Sequence, residues 1–268
     1  MMNPVSQVAF GGGLPPSTLD GFDAKTMALI HNAMKQYPGL TMKSFYGERL
    51  YDTARVAAGT ALTSSEFPLF ANPVGGQQTE LNGTTLYTKS LLDTNMTNAR
   101  QLPAGQYAWI TSIQCQVFVS GLLDNTTQTG ANLGLANDPG AGSAIVAADD
   151  INAVNLAQAA LEGIILKFLY NQTEFEKGPL KLFPTRYGMS GFSGNAAYVP
   201  GTAGTTIMQN ETVVNNGFGF VYTLPVVRQI DSLYQFGVNL QALNTFTPTR
   251  NFRIQVILEG LGAKSVTG

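Results

Sequence analysis

The chain predicts an all-β fold of the sandwich or barrel kind. Apolar and polar residues alternate with a period of two along several segments, as in strands covered on one side. Turn signals built on Gly, Pro and Asn recur at short intervals between those segments. Helical periodicity is confined to two stretches, and no helix is placed regularly between successive strands, which disfavours a parallel α/β sheet. No repeat of fixed period is present. At 268 residues the chain can bury a sizeable core.

Residues 1–21 read as loop, because Gly11-Gly12-Gly13 and Pro15-Pro16 interrupt any regular element. A helix follows over Asp23 to Gln36, capped by Asp20 or Asp23, with Met27, Ile30 and Met34 on one face and Tyr37-Pro38-Gly39 as its stop. Such a helix either packs on the body or serves as an amphipathic arm against a neighbour or a membrane; Lys25 and Lys35 are too few to argue for lipid. Residues 40–80 give short strand-like pieces, of which Glu66 to Ala71 is the clearest.

The pattern becomes regular from about residue 81. Leu81 to Met96 reads as a strand or strand pair with Asn82-Gly83 as a turn. Tyr107 to Val119 is the strongest strand: Tyr107, Trp109, Ile113, Cys115, Val117 and Val119 fall on one face, and Ser112, Gln114 and Gln116 on the other. A long loop rich in Asn, Gly and Thr follows. A second helix is then expected, capped by Asp149-Asp150, with Ile151, Val154 and Leu161 as its apolar positions. Gly163 to Tyr170 is a strand, Asn171-Gln172 a turn, and Glu174 to Phe183 the returning segment, broken at Gly178-Pro179. After a second glycine-rich excursion come Phe218 to Val227, split at Pro225, then Tyr234 to Leu243 and Phe252 to Leu258.

Hydrophobic residues make up 44% of the chain, so it is not a disordered tail, while charged residues make up only 12%. The surface must be carried by Asn, Gln, Thr and Ser, which suits burial against copies of the same protein or an extracellular binding module. The net charge is −2 and no basic cluster exists, so the folded body has no concentrated grip for nucleic acid. No 18-residue apolar run predicts a membrane span, and residues 1–14 do not read as a secretory signal, so synthesis in the cytoplasm with a retained N-terminus is expected.

The inventory for chemistry is short. Cys115 is the single cysteine and His31 the single histidine, and they lie on different expected elements. A thiol nucleophile needs an activating partner, so Cys115 reads as a buried small hydrophobe and His31 as a surface or packing residue. Zinc is unsupported. Asp149-Asp150 with Asp138 or Asp124 could hold calcium, but helix capping explains the first pair. Glu174 and Glu176 beside Lys177 and Lys181 read as a solvated face. The run Gly260 to Ser265 lacks the Gly-Lys step and the following helix of a phosphate loop. Trp109 and Tyr107 could offer a sugar platform, although the apolar face of a strand favours packing. No catalytic, cofactor-binding or metal-binding residue is therefore assigned, and no cofactor is expected.

The order of elements resembles that of viral jelly-roll coat proteins. The segments carrying it are QLPAGQYAWITSIQCQVFV at 101–119, GIILKFLYNQTEFEKGPLKLFP at 163–184, and the closing YQFGVNLQAL and FRIQVILEGLG. The resemblance implies a non-enzymatic major capsid protein of a tailless icosahedral virus, such as a bacteriophage. It implies self-assembly into trimers or pseudo-hexamers and a shell, with minor capsid proteins and an internal membrane as further partners through the N-terminal arm. Its location would be the virion. On this reading residues 1–80 are an arm with a helix at about 23–36 and peripheral strands, and 81–262 are the sandwich with long loops at 120–162 and 184–217. Residues 263–268 are a tail. About eight good strands favour a single jelly roll over a double one, which needs about sixteen. The alternative function is a carbohydrate-binding or adhesin-type sandwich.

Overall fold

The computed structural model describes residues 23–119, 156–157, 159–185, 221–243, 245–248 and 251–265. The described residues are built mostly of antiparallel strands. In order they are helix α1 (Ala24–Gln36), β1 (Phe45–Val56), β2 (Glu66–Leu69), β3 (Gln77–Thr79), β4 (Leu86–Thr88), β5 (Gln106–Val119), β6 (Ile164–Tyr170), β7 (Thr173–Pro179), β8 (Tyr222–Asp231), β9 (Phe236–Ala242) and β10 (Phe252–Lys264). One four-stranded sheet has the order β1-β10-β5-β8 and a second the order β2-β9-β6-β7, while β3 and β4 form a small hairpin. Every strand pairing among the described residues is antiparallel.

The two four-stranded sheets share one core. Leu50 and Ala54 of β1, Ile113 and Cys115 of β5, and Ile254, Val256 and Leu258 of β10 meet Phe67, Phe168, Val238 and Leu240 of the second sheet in a single hydrophobic cluster. The period-two alternation of β9 and β10 therefore turns Phe236, Val238 and Leu240, and Phe252, Ile254, Val256 and Leu258, inward. Burying each such side chain contributes roughly 1.5–3 kcal/mol relative to exposure.

Helix α1 forms where its spacing predicts. The Asp23 carboxylate accepts from the Thr26 amide at 2.7 Å and caps it, and the Tyr37 amide closes its end on the Ala33 carbonyl. Ile30 and Ala33 are buried, with Met27 and Met34 packed beside them, in a second cluster with Phe45, Trp109, Leu261 and Ala263. The helix thus lies on the outer face of the first sheet.

Several expectations are corrected. The single apolar face drawn through Tyr107, Trp109 and Ile113 does not exist. Pairing between β5 and β10 shifts register at Glu259 and Gly260, where Thr111 is the extra residue on β5. A bulge of this kind reverses which side chains face inward. Ala108, Ile110, Ile113 and Cys115 face the main core, whereas Trp109 joins the cluster under α1 with Tyr107 packed against it. Within 81–96 only β4 is strand; the rest is turn, bend and irregular chain with an isolated bridge at Thr94. Phe218 to Val227 is not a split pair over its described part: β8 runs through Pro225 at a sheet edge, opposite a register shift, where a missing amide is tolerated. β10 continues to Lys264, past the expected tail boundary.

The sheets also recruit β1 and β2, which precede residue 81. β1 pairs with β10 from Phe45 to Val56 and is a full member of the first sheet rather than a peripheral strand. Of the second expected helix, residues 156–157 and 159–163 are helical, while Asp149, Asp150, Ile151 and Val154 lie outside the described residues. Most of the loops at 120–162 and 184–217 lies outside them too. Asn171 and Gln172 both adopt positive φ, 47° and 66°, as a two-residue hairpin turn between β6 and β7 requires.

Candidate functional site

The residues considered for chemistry are not brought together. Cys115 is fully buried on the core side of β5, and burial pushes its thiol well above the ordinary range. His31 is exposed on α1. Glu174 pairs with Lys177 at 3.8 Å, Glu176 accepts from the Tyr222 hydroxyl at 3.0 Å, and Lys181 reaches Glu162 at 3.7 Å. Trp109 is only 5% exposed, its ring centroid 6.4 Å from that of Tyr37 and 6.0 Å from that of Phe45, so it presents no open platform. Residues 260–264 are strand, not a phosphate-binding loop. Among the described residues no group of three or more His, Cys, Asp or Glu is arranged to hold a metal ion. Asp124, Asp138, Asp149 and Asp150 lie outside them. Among the described residues no helix is long and apolar enough to cross a membrane.

What the fold does present is surface for contact. A groove of about 640 Å³ opens where the first turns of α1 meet the bulged region of the first sheet. Leu29, Leu224, Pro225, Val227 and Leu261 give it an apolar lining. Its carboxylates already have partners inside the chain. Asp23 caps α1, whose Thr26 amide and hydroxyl hold that carboxyl below its usual range. Glu259 accepts from Arg49 at 2.8 Å and from Gln114 at 2.5 Å.

The sheet edges are guarded unequally. The free edge of β1 is covered: Tyr51 donates its amide to the Asn95 side chain at 2.9 Å, Asn95 donates back to the Arg49 carbonyl at 2.6 Å, and Thr94 bridges to Asp52. β2 is only four residues long and contains Pro68. β7 carries Glu174, Glu176 and Lys177. Short length, proline and charge all discourage pairing with another chain. β8 has a strand neighbour on one side only among the described residues, and Val226 and Val227 are 57% and 38% exposed. Two further neighbouring pairs project from loops: Leu91 with Leu92, and Leu233 with Tyr234. The outer face of the second sheet is amide-rich, with Asn239 donating to Glu66 at 2.6 Å, Gln241 to the Ser64 carbonyl at 2.8 Å, and Lys167 paired with Glu66.

One charged cluster escaped the sequence reading. Asp52 of β1 and Lys89, just after β4, form an ion pair with no solvent-accessible side-chain surface on either partner. Asp52 also accepts from the amides of Thr53 at 2.9 Å and Phe70 at 2.5 Å. Beside it Arg55 clamps Asp93 at 3.1 Å and stacks over Tyr87, 4.3 Å from its centroid. Ser90 donates both its amide and its hydroxyl to Asp93, at 2.9 and 2.8 Å. Burial works to raise the Asp93 carboxyl, but these donors and Arg55 outweigh it and hold it below the usual range. No local sequence signal marks Lys89 as buried, because its partner lies 37 residues away.

No family model, curated protein or solved structure matches the chain.

Proposed function

We propose that the chain is a single jelly-roll coat protein whose work is self-assembly into a viral shell. The observation that carries this reading is the strand order. Eight strands arranged β1-β10-β5-β8 and β2-β9-β6-β7 support a jelly roll, in which two antiparallel sheets interleave along the chain, an architecture used by viral capsid and lectin domains alike. The coat reading is favoured over the lectin reading by the surfaces. The aromatic cluster of Tyr37, Tyr107 and Trp109 is consumed by packing under α1. Exposed apolar pairs instead lie on an edge strand, Val226 with Val227, and on two loops, Leu91 with Leu92 and Leu233 with Tyr234, where copies can meet.

On this reading α1 is a fixed part of the subunit, and the groove beside it, together with the β8 edge, receives a neighbouring copy. Low charge is consistent with this, since burying an amide-rich face against its own copy carries a smaller desolvation penalty than burying ions. The test is light scattering after size exclusion, with negative-stain microscopy of the concentrated full chain. Capsomers or closed particles are the expected result. A strictly monomeric protein at high concentration would overturn the proposal, and glycan-array binding by that monomer would move the assignment to the carbohydrate-binding alternative.

A further inference from the structure

Lys89 and Asp52 form a fully buried contact between two reactive groups. The Lys89 amine touches an Asp52 carboxylate oxygen, and neither side chain has accessible surface. Both backbones are held in place: Asp52 sits mid-strand in β1, while the Lys89 amide donates to the Gly76 carbonyl and its own carbonyl accepts from Gly75, each at 2.9 Å. Leu50 and Ala54, on the same face of β1, and the cross-strand partner Val256 are core residues. The site is therefore dry, and its reacting atoms are pre-positioned.

We propose that Lys89 and Asp52 condense into an intramolecular isopeptide bond between Nζ and Cγ. One proton passes from the ammonium to the carboxylate, giving a neutral amine and a neutral acid. The amine nitrogen attacks Cγ, and the Cγ–O bond to the hydroxyl breaks. A second proton from the nitrogen joins the departing hydroxyl, which leaves as water. An ammonium and a carboxylate become an amide and one water, with no oxidant or co-reactant.

Three features favour this step. In water the separated ions are strongly hydrated, which opposes condensation; burial removes that stabilisation. Burial pushes the Asp52 carboxyl up and the Lys89 ammonium down, towards the neutral forms that react, while the charge of each partner acts in the opposite sense. Backbone amides of Thr53 and Phe70 donate to the two carboxyl oxygens, so charge developing on either one finds a fixed donor. Asp93, the other carboxylate whose charge reaches Lys89, is already engaged by Arg55 and Ser90. The link would tie β1 to the segment that covers its free edge. It would restrict the unfolded chain as a disulfide does, in a protein whose single cysteine can form no intrachain disulfide.

The experiment is intact-mass measurement and peptide mapping of the denatured full chain, after prolonged incubation of the folded protein at neutral pH. The expected result is a mass one water below that of the sequence, with a cross-linked peptide joining the segments that carry Asp52 and Lys89. K89M should keep its full mass. The full sequence mass in the wild type, with the two peptides recovered separately, would overturn the proposal even if K89M fails to fold. A one-water loss that maps elsewhere, such as a succinimide, would overturn it as well. Neither outcome bears on assembly.

Discussion

Gly260 lies against the Trp109 carbonyl so closely that a Cβ built on it would stand 1.9 Å from that oxygen. The approach is made by backbone, in the middle of the longest pairing of the first sheet, so no side-chain rotation can relieve it. Gly260→Ala must therefore separate β10 from β5 at the bulge. The expected loss is about 2–4 kcal/mol, at the upper end for a single substitution. Thermal denaturation of the variant checks it. A melting temperature equal to that of the wild type would show that the bulge has more room than its geometry indicates.

Asp93 makes stability depend on pH with a definite sign. Its folded carboxyl titrates below the ordinary value of 3.8, since Ser90 and Arg55 outweigh the effect of burial. A depressed carboxylate contributes stability above the unfolded value and loses it as pH falls through the folded one. Asp93→Asn should cost about 1–3 kcal/mol near neutrality, as expected for hydrogen bonds to a charged group. The gap between variant and wild type should close as pH falls below 3.8. Urea titrations at several pH values measure this, and a gap independent of pH across that range would refute the assignment.

The packing of α1 has its own reporter. Ile30 is fully buried in the cluster that also buries Trp109, the single tryptophan of the chain. Ile30→Ala should destabilise by about 2–5 kcal/mol, as for other buried aliphatic truncations. Because the lost contacts lie under the helix, tryptophan emission should shift to the red at lower denaturant than far-ultraviolet circular dichroism of the sheets is lost. Coincident transitions would mean that helix and sheets melt as one unit.

What the sequence made legible was local. Alternation identified β9 and the first part of β10, because each has core on one face and Gln, Asn or Arg on the other. The sequence offered Asp20 or Asp23 as the cap of α1, and Asp23 is the N-cap, while Asp20 lies outside the described residues. Alternation failed in β5 because Thr111 adds one residue without interrupting the apolar composition, so Trp109 and Ile113 share parity in the chain but not a face. It failed in β1 because the inward set includes Asp52, whose burial depends on Lys89 far along the chain. Non-local pairing of that kind leaves no trace in a short window.

The β8 edge supplies the most direct test of assembly. Among the described residues, three of the four edges of the two four-stranded sheets are covered, short with a proline, or charged, while β8 presents Val226 and Val227 beside the groove at α1. Neither side chain belongs to either hydrophobic cluster, so removing their apolar character should leave the subunit intact. Paired substitution, Val226→Glu with Val227→Glu, should change stability by no more than about 0.5 kcal/mol, as for ordinary surface positions. It should abolish particles or capsomers, since two new charges would be buried without partners at each contact. The same treatment of Leu91 and Leu92 provides the comparison. Loss of assembly in the loop variant with normal particles from the β8 variant would move the contact to the loop beside β1. Normal particles from both would exclude these two surfaces from the contact between copies.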